Sequence, residues 1–212
     1  MRKQIYGVQE IFYSLQGEGE WTGTPMTFIR LAGCNLNCSF CDTAYEQPKG
    51  MTTQAIIEEV KKNPSTRVVL TGGEPLLQPV GELLEALRED GFAVHLETNG
   101  TQALNKLEYL FAWITTSPKS PVETLSEELF RMADEIKFLC GLPDWKGYID
   151  RVRTSLPTGL AKLYLMPIAK AVGLGKGREE IIDENVVLAK DYCLKHPEFS
   201  LCIQTHKYLG IR

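Results

Sequence analysis

The feature that most constrains the fold of this chain is its alternation. Short runs of β-branched and aliphatic residues, such as Val68-Val69-Leu70 and Ala93-Val94-His95-Leu96, are followed by segments with apolar residues at helical spacing. Residues 53–62 carry Ile56, Ile57 and Val60 on one face, with Thr52 or Thr53 as N-cap, and residues 80–88 carry Val80, Leu83, Leu84 and Leu87. Apolar positions three and four apart define such a face. Further helices are predicted over 104–110, 125–132, 144–152 and 179–194, and further strands over 8–14, 26–31, 112–116, 135–139, 161–166 and 199–204. Repeated strand–helix units build a parallel sheet with helices outside it. About seven core strands in this length predict one domain over 1–212, an α/β partial or compressed (β/α) TIM-like barrel. A doubly wound open sheet is the alternative.

Composition sets the setting. Hydrophobic residues make up 43% and charged residues 24%, as expected for a soluble globular chain, and the net charge of −4 argues against a nucleic-acid binder. No apolar run approaches the roughly 18 residues of a membrane span, and Met1-Arg2-Lys3-Gln4-Ile5-Tyr6 lacks a signal-peptide core. A cytoplasmic protein with no membrane partner is expected. Six cysteines then read as metal ligands or plain thiols. Cys140, Cys193 and Cys202 sit in apolar surroundings and read as inert thiols, although one could serve as a further ligand.

Polar and glycine-rich stretches follow the strands: Thr71-Gly72-Gly73-Glu74-Pro75, Glu97-Thr98-Asn99-Gly100, Ser117-Pro118-Lys119, Met166-Pro167 and Gln204-Thr205-His206. In a barrel these strand ends form the face that carries the active site. Cys34-Asn35-Leu36-Asn37-Cys38-Ser39-Phe40-Cys41 follows the 26–31 strand and opens on the same face. Soft thiolates select iron–sulfur clusters, zinc or Cu(I). Closed structural sites take four protein ligands, so three cysteines suggest a centre with one position open to a ligand that is not protein. A small zinc site completed by His95 or His206 in space is the alternative. Gly72 and Gly73 let a ligand approach the backbone, and Glu74 adds a carboxylate that can accept from an amine.

Three cysteines spaced CxxxCxxC, with Gly-Gly-Glu-Pro at the next strand end, resemble the radical S-adenosylmethionine superfamily. The resemblance implies a 4Fe-4S cluster on Cys34, Cys38 and Cys41, with the fourth iron chelated by S-adenosylmethionine. It also implies that Gly73 and Glu74 hold the amino group of that cofactor. Reductive cleavage of the sulfonium then yields a 5′-deoxyadenosyl radical. Phe12-Tyr13-Ser14-Leu15-Gln16-Gly17-Glu18-Gly19, Phe28-Ile29-Arg30-Leu31-Ala32-Gly33, Cys41-Asp42-Thr43, Ser117-Pro118-Lys119 and Gln204-Thr205-His206-Lys207-Tyr208-Leu209 resemble the 7-carboxy-7-deazaguanine synthase family.

That resemblance implies conversion of 6-carboxy-5,6,7,8-tetrahydropterin to 7-carboxy-7-deazaguanine and ammonia by radical ring contraction, on the route to queuosine and other deazapurines. Phe40, Asp42, Ser117, Pro118, Lys119, Met166 and Pro167 would lie beside S-adenosylmethionine. Met166-Pro167 stands where the family often has Gln-Pro. Thr43 would give its hydroxyl to Mg²⁺, a hard ion that prefers oxygen. Leu15, Gln16, Gly17, Arg30, Thr71, Glu97, His206 and the terminal Arg212 would contact the substrate. Arg30 suits its carboxylate, and Glu97 suits its amino-pyrimidinone donors. Arg30 as an outward-facing edge residue and His206 as a solvated tail residue are the plainer readings. A homodimer and a flavodoxin or ferredoxin as electron donor are also implied. A glycyl-radical activase and a non-catalytic iron–sulfur or zinc module are the rival functions. Gly173-Leu174-Gly175-Lys176-Gly177 lacks the Walker ending and reads as a connector or lid.

Overall fold

The computed structural model describes residues 4–41, 48–168 and 184–211. Among them, nine strands form one sheet: β1 (Ile5–Leu15), β2 (Pro25–Leu31), β3 (Lys49–Thr52), β4 (Arg67–Gly72), β5 (Ala93–Thr98), β6 (Trp113–Thr116), β7 (Glu135–Cys140), β8 (Lys162–Pro167) and β9 (Phe199–Leu201). Their order is β3-β1-β2-β4-β5-β6-β7-β8-β9. From β2 onward all pairings are parallel, whereas β1 runs antiparallel to both β2 and β3. The order from β2 to β9 never reverses, so right-handed crossovers leave their helices on one face. A doubly wound sheet needs a reversal. The sheet is therefore the wall of a partial barrel.

The helices are α1 (Thr53–Val60), α2 (Gly81–Glu89), α3 (Glu127–Met132), α4 (Trp145–Ser155), α5 (Glu184–Lys195) and α6 (Thr205–Leu209). Thr52 caps α1, its hydroxyl accepting from the Ala55 N–H at 3.2 Å. Strand parity divides the molecule. Ile29, Leu31, Val68, Leu70 and Val94 pack with α1 and α2, while Met26, Phe28 and Val69 form a separate cluster on the concave side. On β7, Ile136, Phe138 and Cys140 join the core under α4 and α5, and the alternate residues Lys137 and Leu139 line the interior.

Some elements differ from the sequence reading. Residues 104–110 hold only a 3-10 turn, Glu108–Leu110, because Asn105 (φ +53°) and Lys106 (φ +67°) are left-handed and stop a helix. Strand β3 was not expected, β9 ends at Leu201, and β8 runs one residue further than expected, to Pro167. The 173–177 segment and the start of the 179–194 helix lie outside the described residues.

Strand β1 contains a bulge. Its register with β2 shifts between Val8 and Glu10, so parity inverts along the strand. Before the bulge, Tyr6 and Val8 face the helix-side core; after it, Glu10 and Phe12 line the interior and Ile11 packs toward the helices.

The loop between β1 and β2 folds beneath the barrel. Trp21 meets His95 and Trp113 edge-on at 4.9 and 5.7 Å, under the Arg67 guanidinium. The Glu20 N–H donates to Glu135 at 3.0 Å, and its carboxylate takes Tyr164 Oη–H at 2.9 Å and the Lys162 ammonium. Arg67, Trp113, Glu135 and Lys162 open their strands. The loop thus closes the N-terminal end, leaving the opposite end open.

Candidate active site

At the C-terminal ends of the strands lies a cavity of about 800 Å³. It brings together Cys34, Cys38, Phe40 and Cys41 with Gly73, Ser117, Lys119, Met166 and Pro167. On the same wall stand Leu15, Gln16, Gly17, Arg30, Thr71, Glu97 and His206. Among the sequence-predicted residues, Asp42, Thr43 and Arg212 lie outside the described residues. Glu74 and Pro118 are not on the lining.

The cysteine loop is pinned to two strand ends. The Gly73 N–H donates to Leu31 O (3.2 Å) and the Glu74 N–H to Gly33 O (2.8 Å). Asn99 Nδ2 donates to Asn35 Oδ1 (3.0 Å), and Asn35 Nδ2 to Thr101 Oγ1 (2.8 Å). A Cβ on Gly73 would run into the Gly33 carbonyl and Cys34. The glycine is thus required by the close approach of β4 to the loop as well as by any ligand. Glu74 departs from expectation. Its carboxylate is fully buried and accepts from the Thr98 hydroxyl, Asn99 N–H and Leu76 N–H, so it presents no oxygen to the cavity. Burial pushes its carboxyl up, and those hydrogen bonds oppose the rise.

Three thiols on one cavity fit an iron–sulfur cluster. Among the described residues, no three His, Cys, Asp or Glu side chains are grouped to hold one metal ion. An iron–sulfur cluster takes each cysteine on a different iron, so its sulfurs need not meet at a point. Burial pushes the Cys38 thiol up, Lys119 pulls it down, and the charges of Cys34 and Cys41 raise it again. Cys38 thus lies within reach of both other thiols and of a lysine that favours its thiolate.

The opposite wall is a network of fixed charges. Glu97 accepts at Oε1 from Gln16 Nε2 (3.0 Å) and at Oε2 from Thr71 Oγ1 (3.1 Å). Lys137 Nζ lies 2.6 Å from Glu18 Oε2 and 3.6 Å from Glu97 Oε1. Burial alone would raise the Glu18 carboxyl, but the charge and hydrogen bond of Lys137 hold it at about 2. Burial likewise works against the Lys137 ammonium, yet Glu18 and Glu97 lift it well above the usual lysine range. Arg30 Nε donates to Glu10 Oε1 at 3.0 Å, and its guanidinium lies over Phe12, which stacks on Phe28 at 4.9 Å. Arg30 is an interior residue, not an outward-facing edge.

The C-terminal segment latches onto this wall. Gly17 O accepts from both the N–H and the hydroxyl of Thr205, at 3.0 and 3.1 Å, and Gln204 Nε2 donates to Glu18 Oε1 at 2.8 Å. His206 packs where a Gly17 side chain would be, so it is not a solvated tail residue. Glu18, Glu10 and Lys137 were missed by sequence reasoning. The available signal was Glu135 and Lys137 at alternate positions of an otherwise apolar strand.

A parallel wall with a three-cysteine loop after its first parallel strand defines the class: the Radical SAM superfamily model matches residues 28–167. The chain is 40% identical over 205 residues to a 7-carboxy-7-deazaguanine synthase of Bacteroides thetaiotaomicron, covering 97% of this chain and 98% of the relative. It is 34% identical to one from Synechocystis, covering 98% and 94%. The fold matches the crystal structure of QueE from Escherichia coli with a TM-score of 0.76 at 24% identity, over 94% of this chain and 93% of that one. Streptococcus suis SuiB shares the fold more distantly, with a TM-score of 0.52 at 15% identity over 79% of this chain and 46% of its own. The chain belongs to the 7-carboxy-7-deazaguanine synthase family of radical S-adenosylmethionine enzymes. These relatives do not favour a glycyl-radical activase.

Proposed function

We propose that this chain converts 6-carboxy-5,6,7,8-tetrahydropterin into 7-carboxy-7-deazaguanine and ammonia, in the biosynthesis of queuosine and related 7-deazapurines. The observation that carries this reading is one cavity holding a three-thiol loop, an arginine and a carboxylate fixed at both oxygens. When bound, a 4Fe-4S cluster with S-adenosylmethionine supplies the one-electron cleavage that starts radical chemistry.

The chain's own residues bind and orient. Cys34, Cys38 and Cys41 would hold the cluster. Phe40, Gly73, Ser117, Lys119, Met166 and Pro167 line the cavity and would lie beside S-adenosylmethionine, with Asp42 and Pro118 assigned to the same set by their motifs. Arg30 would turn its planar fork from Glu10 to the substrate carboxylate. Glu97 would accept from the amino-pyrimidinone edge. Gln16 and Thr71 then act chiefly by holding Glu97 still. Leu15, Gly17 and His206 would close the pocket, with Arg212 assigned to the same set by the family resemblance. Mg²⁺ on Thr43, a flavodoxin or ferredoxin as donor, a homodimer, a single domain and a cytoplasmic setting belong to the same proposal. Among the described residues no helix is long and apolar enough to cross a membrane.

Two measurements test the proposal. Anaerobic metal analysis is expected to find about four irons and four sulfides per chain; zinc in their place would overturn it. Arg30→Met is expected to raise KM for the pterin about tenfold or more with a smaller change in kcat, the pattern of lost ground-state binding. An unchanged KM would remove Arg30 from the substrate site.

A further inference from the structure

Lys137 stands in mid-strand on β7 with its side chain only 4% exposed. A buried lysine between two carboxylates is costly unless its charge is used. Glu18 takes the short contact, 2.6 Å, and Glu97 lies at 3.6 Å, beyond hydrogen-bond length but within ion-pair range. Direction for Glu97 comes from elsewhere. Gln16 Nε2 and Thr71 Oγ1 each donate to one of its oxygens, and Gln16 Oε1 in turn accepts from the Glu18 N–H at 3.1 Å. Each carboxylate oxygen retains a second lone pair. Glu97 thus has its orientation set by two neutral donors, its charge balanced by Lys137, and free acceptor capacity on the cavity side.

We infer that Lys137 is a positioning residue for substrate specificity: its single positive charge, shared between Glu18 and Glu97, keeps Glu97 a pure acceptor in register with the amino group of a pterin. The inference rests on the reading of Glu97 given above and extends it to a residue that does not itself touch the substrate. Without the cation, Glu18 and Glu97 face each other as like charges in a poorly solvated interior. Either one takes up a proton, or the two move apart. A protonated Glu97 presents a donor to the ligand, and a displaced one is out of reach. Both outcomes reduce the preference for an amine without removing Arg30, which would hold the carboxylate end.

The test uses the full chain loaded with cluster and S-adenosylmethionine, titrated anaerobically with two probes. 6-Carboxypterin carries the 2-amino group, and 6-carboxylumazine has an oxo group there. The wild type is expected to prefer the pterin about tenfold or more, the value of one hydrogen bond to a charged group. Glu18→Gln keeps Lys137 beside Glu97 and is expected to retain that ratio. Lys137→Met is expected to bring it close to one. The double variant Glu18→Gln/Lys137→Met removes the like charge that would face Glu97 and is expected to recover most of the ratio. It keeps the inference testable if the single variant does not fold; a double variant whose ratio stays close to one would overturn it. Lys137→Arg is expected to restore part of the ratio. If Lys137→Met weakens both probes equally and keeps the ratio, the role is structural and the inference is overturned. A wild type that binds both probes without preference would instead overturn the Glu97 reading, and the inference with it.

Discussion

Gly17 has no side chain, and the His206 ring occupies the space a Cβ would need. Because Gly17 O also anchors Thr205, a methyl group there would push the start of α6 away from the cavity. Overpacking of this kind costs about 1–3 kcal/mol, so Gly17→Ala is expected to raise KM for the pterin about tenfold in steady-state kinetics. An unchanged KM would mean that His206 does not close the pocket. Glu18 makes a pH prediction. Its carboxyl is held at about 2 against an ordinary 4.5, so the folded state binds its proton less readily than the unfolded state. The stability it contributes is complete above pH 4.5 and is lost as pH falls toward 2. Glu18→Gln should flatten this part of the acid-denaturation curve; a curve parallel to wild type would contradict the assignment. Cys34 was legible from the spacing of its loop, whereas Arg30, Thr71 and His206 were reached through the family resemblance; all four line the one cavity. A carboxylate beside two glycines looks available in a sequence, yet Glu74 is buried away from the cavity lining. Only the fold brings Thr98 and Asn99 to its oxygens.

At the scale of elements, the bulge in β1 decides which side chains reach the cavity. Glu10 lies opposite Arg30 only because the register shifts by one residue after Val8. Deleting Gln9 would leave Val8 opposite Leu31 and Glu10 opposite Arg30 with no extra residue between them, so plain alternation would keep Tyr6 and Val8 in the helix-side core and Glu10 and Phe12 in the interior. The shortened chain is expected to keep a cooperative thermal transition by circular dichroism; loss of that transition would contradict the parity argument. Helices α1 and α2 were legible from apolar spacing and, for α1, the Thr52 cap. The bulge was not, because a strand read with a strict period of two has no place for an extra residue. Residues 104–110 failed similarly: Leu104, Leu107 and Leu110 share helical spacing, yet Asn105 and Lys106 take left-handed backbone.

For the whole molecule, the alternation of strands and helices was enough to predict a barrel wall, and the unreversed strand order bears it out. What alternation does not convey is how the wall is completed. The β1–β2 loop closes its base with Trp21 and Glu20, and its Gly17 carbonyl ties the C-terminal segment across the cavity. One loop thereby serves as floor, as carrier of Glu18 and as anchor for His206. The contacts of Gly17, Glu18 and Glu20 span more than a hundred residues of sequence, and local patterning does not encode them. The central claim is that this enclosure presents a carboxytetrahydropterin to radical chemistry at the cysteine loop. The most direct test is turnover: the anaerobically reconstituted, reduced chain is incubated with S-adenosylmethionine, Mg²⁺ and 6-carboxy-5,6,7,8-tetrahydropterin. Formation of 7-carboxy-7-deazaguanine with an equal amount of ammonia is the expected result. A fully loaded cluster that cleaves S-adenosylmethionine yet leaves the pterin unchanged would contradict the account.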